Sequence, residues 1–353
     1  MDVLLTLGVT TAAVLVALAA TTVALVRRAQ RHAPQLGKAI VVDGVELHYV
    51  EAGAGPPVVF LHGAKGSVYD AVLSIGPALA RDHRFVAFDR PGAGYSGRAG
   101  AESGSPRVQA ESLHRALRSL GIERPVLVAH SAGAPVALAL ALGYPDAVAA
   151  VVTLGGYVFS ARDPARAPSR LLTVPVVGAV LRWTLVVPLG RLLARVVVRH
   201  AFAPDQPDPA YARLAPGLAL RPERLAGDAR DLPAVEADLR SLASRYADLE
   251  TPVVAVHGLA DFVVSAAQAV RLCQLVPRCD LVLLEETGHM PHFTRPDAVL
   301  DAVALAWRRS TVGAPPAASA AFASPASPAY TPGLVALGGE PAVPCTRNPL
   351  QRG

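Results

Sequence analysis

Three residues carry the chemistry this sequence could perform. Ser131 stands in Ala129-His-Ser-Ala-Gly133, after the apolar run Val126 to Ala129 and before the helical stretch Gly133 to Gly143. A serine at a sharp strand-to-helix corner is a nucleophile elbow, strained in its backbone and flanked by small residues because strand and helix leave little room. Ala129 replaces the first glycine of Gly-x-Ser-x-Gly and keeps the small size. Taken alone, the stretch also reads as a Ser-Gly loop. A hydroxyl is a poor nucleophile at neutral pH, so it needs a general base, and the base needs an orienting acid. His289, in Glu286-Thr-Gly-His-Met-Pro-His292, follows the last apolar run, and Asp261, in His257-Gly-Leu-Ala-Asp-Phe262, follows the one before it. The order is Ser, Asp, His on three strand ends. His292 is a rival base, and Asp280 is discounted as the acid because it begins a strand.

Acyl transfer also needs donors for its oxyanion. The backbone N–H of Ala132, opening the helix after the serine, is one. The N–H of Ala64, in the loop after Leu61-His62-Gly63, is the other, with His62 holding that loop. Asp89-Arg-Pro-Gly-Ala-Gly-Tyr-Ser-Gly97 has glycines at dinucleotide-fingerprint spacing, but Arg98-Ala-Gly-Ala-Glu follows instead of a helix able to receive a pyrophosphate. Neither a Walker A sequence nor His-Glu-x-x-His occurs, so no cofactor and no metal is expected.

The elements that must hold these residues are legible as apolar runs. Ala39 to Ala52 alternates around Asp43-Gly44, the signal of an antiparallel hairpin. Continuous apolar strands follow at Pro57 to Leu61, Arg84 to Phe88, Val126 to Ala129, Val148 to Leu154, Pro252 to Val256 and Asp280 to Leu284. Helical patterns at Tyr69 to Leu79, Arg107 to Leu120, Gly133 to Gly143 and Ala266 to Leu275 alternate with them. That alternation predicts a mostly parallel sheet covered on both faces, with reactive groups at the strand carboxyl ends.

Between residues 156 and 250 no such strand returns, which predicts a helical cap inserted into a core of 39–155 and 251–309. Arg166 to Ala203 has no acid and sets six arginines among leucines and valines, a composition suited to a lipid surface or an apolar substrate, or to a packed helix pair with exposed arginines. Pro175 and Pro188 are expected to cut it into helices too short to span a bilayer. Val235, Leu239, Leu242 and Tyr246 mark an amphipathic helix leading back to the sheet.

Composition bounds the rest. The chain has 353 residues, 52% of them hydrophobic, and 33 basic against 28 acidic residues, without a Lys/Arg block. A large core is possible, and a dedicated nucleic-acid binder is not indicated. Val3 to Val26 is an uncharged stretch of about 24 residues, enough for a hydrocarbon core of roughly 30 Å. With Arg27, Arg28 and Arg31 just after it, residues 1–32 read as a transmembrane anchor that keeps the catalytic domain on the cytoplasmic side. A cleaved signal peptide would carry its cations on the other flank. Cys273, Cys279 and Cys345 form no paired motif and are expected to be free thiols in a reducing compartment. The Ala/Pro/Ser-rich residues 312–353 are expected to be disordered.

Leu61-His-Gly, Asp89-Arg-Pro-Gly-Ala-Gly-Tyr-Ser, His130-Ser-Ala-Gly, Gly258-Leu-Ala-Asp and Gly288-His, with a helical insertion before Pro252, together resemble the α/β-hydrolase superfamily over about Ala39 to Arg309. The resemblance implies an eight-stranded α/β sheet, Ser131 as nucleophile, His289 as base, Asp261 as its partner, and Ala64 and Ala132 as oxyanion donors. Relatives that are haloalkane dehalogenases or epoxide hydrolases carry aspartate at the elbow, which Ser131 argues against. An anchor ahead of such a domain is similar in layout to membrane-bound monoacylglycerol lipases. The expectation is a membrane-anchored serine hydrolase of apolar or lipid-like carboxylic esters, with no nucleic-acid partner. A carbon-carbon bond hydrolase, an aminopeptidase-like enzyme and a non-catalytic binding protein on the same scaffold are the alternatives.

Overall fold

The computed structural model describes residues 2–98, 100–160, 164–311 and 334–336. Its centre is a sheet whose first two strands, Lys38–Val42 (β1) and Val45–Ala52 (β2), pair antiparallel. Asp43 and Gly44 turn between them at φ of 50° and 76°, the left-handed pair that a two-residue hairpin requires. Pro57–Leu61 (β3), Arg84–Phe88 (β4), Val126–His130 (β5), Ala150–Leu154 (β6), Val253–Gly258 (β7) and Cys279–Leu284 (β8) complete the eight expected strands. Leu334–Ala336 (β9) adds a short ninth, parallel to β8. The order is β1-β2-β4-β3-β5-β6-β7-β8-β9, antiparallel as far as the β2–β4 pair and parallel beyond it. The rest of 312–353 lies outside the described residues.

The central strands are predominantly apolar because both faces are covered. Val59, Leu61, Leu127 and Ala129 face Pro106–Ser119 and Ala134–Gly143, while Val58, Phe60, Val126 and Val128 face Tyr69–Val72, Gly76–Leu79 and Pro296–Thr311. All eight of these strand residues are buried. The helix expected over Tyr69 to Leu79 is two short helices, the second opening at Gly76-Pro77, where proline fits a first turn.

The cap follows β6. It comprises a 3-10 segment Pro164–Thr173, a helical rod from Val177 to Phe202, and the helices Pro209–Ala219 and Pro222–Ala243. The expectation that Pro188 would cut the first half fails. A π-helical turn at Arg182–Val186 lies immediately before it, the local widening by which a helix tolerates a lost i to i−4 bond. The 26-residue rod is long and apolar enough to cross a membrane, as is the N-terminal helix Asp2–His32.

The N-terminal helix is attached to the domain rather than tethered. Ala29 is buried against Gly217 of Pro209–Ala219, where an added Cβ would lie 2.5 Å from the Ala29 Cβ. Beyond the helix, Tyr95 Oη donates to the Ala33 carbonyl at 2.6 Å, Tyr69 Oη donates to the Pro34 carbonyl at 2.6 Å, and His48 Nε2 bonds the Leu36 carbonyl. The other end of the helix is bare: Val3, Leu4, Leu5 and Val16 are all exposed.

The free-thiol expectation also fails for two cysteines. Cys273, near the end of Ala267–Leu275, and Cys279, the first residue of β8, form a disulfide with Cα atoms 5.0 Å apart. The intervening turn folds helix end onto strand start, a proximity that no local spacing rule anticipates. Cys345 lies outside the described residues.

Candidate active site

β5 ends at His130, and the chain turns through Ser131 at φ +49° into the helix Ala134–Gly143. This is the left-handed backbone that an elbow demands of its serine. Ala129 is an ordinary strand residue, paired with Leu61 and Thr153, so alanine serves there. Gly133 does not have that latitude. A Cβ on it would lie 2.6 Å from the Leu61 carbonyl oxygen and 2.8 Å from that of His62.

The three separated residues meet at the carboxyl ends of β5, β7 and β8. His289 Nε2 is 3.0 Å from Ser131 Oγ, and His289 Nδ1 is 2.7 Å from Asp261 Oδ2. Asp261 Oδ1 accepts the N–H groups of Val263 and Val264, both at 2.8 Å. Burial acts to raise the Asp261 carboxyl, but hydrogen bonds from His257 and His289 outweigh it and hold the group well below the usual carboxylate range. The ionised acid therefore directs the His289 Nδ1 proton toward itself and leaves Nε2 able to accept from Ser131. Gly155 closes the arrangement at φ +53°: its missing side chain leaves room for His289 Nδ1, which would lie 3.1 Å from a Cβ there.

Neither discounted residue joins them. His292 is fully buried with both ring nitrogens unpartnered, its ring 4.6 Å from that of His130. Asp280 forms a two-pronged pair with Arg309 at 2.7 and 2.8 Å. Asp70, His130 and His292 are buried with ligand-type atoms within 4.8 Å of one another, the one group among the described residues with the composition to hold a cation.

Two supporting residues escaped sequence reasoning. His257 Nε2 lies 3.2 Å from Asp261 Oδ2, giving that oxygen a second imidazole partner. Arg90 runs under the oxyanion loop: its Nε donates to the His62 carbonyl at 2.9 Å, Nη2 to the Gly63 carbonyl at 3.0 Å and Nη1 to Gln109 at 3.0 Å. The His62 ring bonds the Gly63 carbonyl through Nδ1 and accepts the Arg90 N–H at Nε2, so it holds the loop. Burial, with Arg90 and Arg224 nearby, keeps His62 neutral by pushing it well below the ordinary histidine value. The only sequence signal for these roles is position, since His257 stands near the end of the strand that leads to Asp261 and Arg90 follows a strand end.

Asp89-Arg-Pro-Gly-Ala-Gly is a structural clamp. Asp89 accepts from the N–H groups of Val68 and Tyr95 at 2.8 Å and from His48 at 2.6 Å. Gly92 and Gly94 both take positive φ, and a side chain on Gly94 would enter the Asp89 carboxylate.

Ala64 and Ala132 line a cavity of about 360 Å³ between the core and the cap. Its walls include Pro135, Leu172, Leu225, Leu232 and Val235, with Arg90, Arg224, Asp228 and Asp231 among the charged groups. The acids are committed: Lys65 pairs with Asp228 at 3.0 Å and Arg98 with Asp231 at 2.7 Å. Arg224 donates through Nη1 to the Gly66 carbonyl at 2.9 Å but leaves its Nε without a hydrogen-bond partner among the described residues, so the chamber sets apolar walls around a free guanidinium donor and reaches Ala132, the residue after Ser131. With Ser131 hydrogen-bonded to His289 and His289 to Asp261, the site has the parts for nucleophilic attack by a serine.

The chain is similar to several known hydrolases. The chain is 32% identical over 129 residues to a 2-hydroxymuconate semialdehyde hydrolase of Pseudomonas sp. (strain CF600), a stretch covering 36% of this chain and 46% of that relative. It is 28% identical over 264 residues to a pimeloyl-[acyl-carrier protein] methyl ester esterase of Aeromonas hydrophila, covering 71% of this chain and 95% of the relative. In fold it is similar to the enol-lactonase of Burkholderia xenovorans LB400, with a TM-score of 0.63 at 21% identity over 77% of this chain and 100% of that one. Residues 56–296 match the alpha/beta hydrolase fold family, and with the elbow, the sheet order and the inserted cap this chain belongs to that family.

Proposed function

We propose that the chain is a membrane-anchored serine hydrolase that cleaves carboxylic esters with an apolar acyl or alcohol part. The observation that carries the reading is the unbroken line from Ser131 Oγ through His289 to Asp261, at 3.0 and 2.7 Å. Ser131 attacks the ester carbonyl as its proton passes to His289 Nε2. The oxyanion is held by the N–H groups of Ala64 and Ala132, and His289 returns the proton to the leaving alkoxide. Water, activated by the same histidine, then clears the acyl-enzyme and restores Ser131. The apolar lining of the cavity supports an apolar substrate, and the methyl ester esterase among the relatives supports ester chemistry. No residue of this mechanism requires a metal or a cofactor.

Residues 3–26 are the anchor in this reading. The arginines after them favour a cytoplasmic domain, whereas a lasting Cys273–Cys279 bond favours an oxidising compartment. We adopt the cytoplasmic side, because the cation flank acts directly on topology. Protease added to sealed, right-side-out vesicles should leave the domain intact; digestion would reverse the side.

A second reading is hydrolysis of a carbon-carbon bond beside a carbonyl, with the same attack and a carbanion as leaving group. The 2-hydroxymuconate semialdehyde hydrolases among the relatives favour it. A chain-length series of p-nitrophenyl and glyceryl esters, run beside a ring-fission dienoate, separates the two. Turnover rising with acyl length supports the ester reading, and turnover of the dienoate alone overturns it.

A further inference from the structure

We infer that the outer face of the cap rod Val177–Phe202 is a docking surface for an anionic lipid bilayer, fixing the catalytic domain against the membrane with its histidine loop beside the lipid. The inference rests on the membrane anchor proposed above and extends it from one helix to a defined surface of the domain. Leu185, Leu189, Leu192 and Val196 recur at i, i+4, i+7 and i+11, which sets them on one side of the rod. All four are exposed, Leu192 by 76% and Val196 by 67%, and exposed Leu193 and Val197 widen the stripe. Arg195 and Arg199 are exposed along one border of it, and no acid occurs between residues 164 and 204. The occupant that fits apolar side chains bordered by unopposed cations is the headgroup and acyl boundary of an anionic leaflet. A second copy of the chain fits poorly, because it would bring two acid-free basic faces together.

Continuity with the anchor supports the same occupant. The rod and Pro209–Ala219 pack against the N-terminal helix, and the Ala33, Pro34 and Leu36 carbonyls are each tied to the core. The helix therefore leaves the domain in a fixed direction, and the exposed stripe lies on an element in contact with it. At its far end the rod reaches the site. The His289 N–H donates to the Ala201 carbonyl at 3.1 Å, and a side chain on Gly288 would run into the Ala203 carbonyl. His200 also lies 5.9 Å, ring to ring, from Phe262, which with Leu259 and Val263 forms an exposed apolar tip on the loop of Asp261. Apolar surface thus runs from the anchor along the rod to the loops that carry the acid and the base.

The test uses the full chain in vesicles containing phosphatidylglycerol, with Trp183 and Trp307 changed to Phe. One tryptophan is then introduced by Leu192→Trp or, as control, by Glu123→Trp, an exposed position ahead of β5 at the end of the sheet opposite the cap. Lipids brominated on their acyl chains should quench the Leu192→Trp protein and spare the Glu123→Trp protein. Aqueous, unquenched emission from position 192 in protein that stays membrane-bound overturns the inference and leaves the anchor standing. Blue-shifted but unquenched emission means that a second copy covers the face, which also overturns it. Protein that alkaline carbonate strips from the vesicles refutes the anchor and this inference together, while serine chemistry is judged separately on a soluble ester. As a second arm, Leu192→Asp with Val196→Asp should lower turnover of a vesicle-embedded ester about tenfold or more, because two buried aliphatic contacts are lost, and leave a short soluble ester unaffected. Equal loss on both substrates would mark a folding defect and overturn the assignment of this face to lipid.

Discussion

Replacing Asp261 by Asn should disable the enzyme through the wrong histidine tautomer, and the structure dictates which one. Oδ1 of Asp261 accepts two backbone N–H groups, from Val263 and Val264 at 2.8 Å. In Asp261→Asn only the carbonyl oxygen can keep those bonds, so the amide nitrogen must take the Oδ2 position. There it faces His289 Nδ1 at 2.7 Å as a donor, which forces Nδ1 to accept and moves the ring proton to Nε2. Nε2 then points a proton at Ser131 Oγ, 3.0 Å away, and cannot receive one. In serine hydrolases the corresponding change costs on the order of 10⁴-fold in kcat, equivalent to about 5.5 kcal/mol of transition-state stabilisation. The new NH₂ also meets His257 Nε2, which lies 3.2 Å from that oxygen, so stability should fall by about 1–3 kcal/mol for one unsatisfied buried group. The assay is steady-state hydrolysis of a p-nitrophenyl ester, with the thermal midpoint measured on the same samples. A folded Asp261→Asn protein retaining kcat within about tenfold of wild type would refute the tautomer argument.

Other substitutions probe the supports. Gly133→Ala sets a methyl against two backbone carbonyls and should destabilise by about 1–3 kcal/mol while lowering kcat, whereas Gly143→Ala, with nothing within 4 Å, should be neutral or stabilising by up to about 1 kcal/mol; similar thermal midpoints for the pair would contradict this. Arg90→Lys keeps the charge but not the fork under the oxyanion loop, so kcat should drop about 10- to 100-fold at nearly constant KM, and a change in KM alone would count against a positioning role. Asp70 gives a pH test: burial pushes its carboxyl up to about 7, so between about pH 4 and pH 7 the folded state holds a proton that the unfolded chain has released, and stability falls as pH rises through that window. Asp70→Asn should flatten that fall in thermal midpoint, and an unchanged slope would remove Asp70 from the account. Asp261 has the opposite sign, its depressed value contributing stability above the unfolded carboxylate range that is lost as pH falls into acid.

What the sequence makes legible here follows from range. The parallel strands read correctly because both faces of the central ones are buried and their residues run mostly apolar, as in Val126 to Val128. Ser131 was legible because it directly follows such a strand, and Asp261 and His289 because each sits one short loop beyond one. The path of the cap rod through Pro188 was not, since a proline states the bond it removes and not the wider turn that accommodates the loss. The Cys273–Cys279 pairing and the grip of Arg90 on the His62 and Gly63 carbonyls are tertiary contacts with no periodicity to betray them. Gly155 was equally silent, since a glycine in a loop does not show that a histidine will fill the space its side chain leaves.

Labelling by a fluorophosphonate probe tests the central claim most directly, because it requires an activated serine and no knowledge of the substrate. Wild-type protein should react at Ser131, as identified by mass spectrometry of the modified peptide, and Ser131→Ala should lose both the label and ester turnover. A folded wild-type protein that takes no label, or a Ser131→Ala protein that turns over esters as before, would contradict the account.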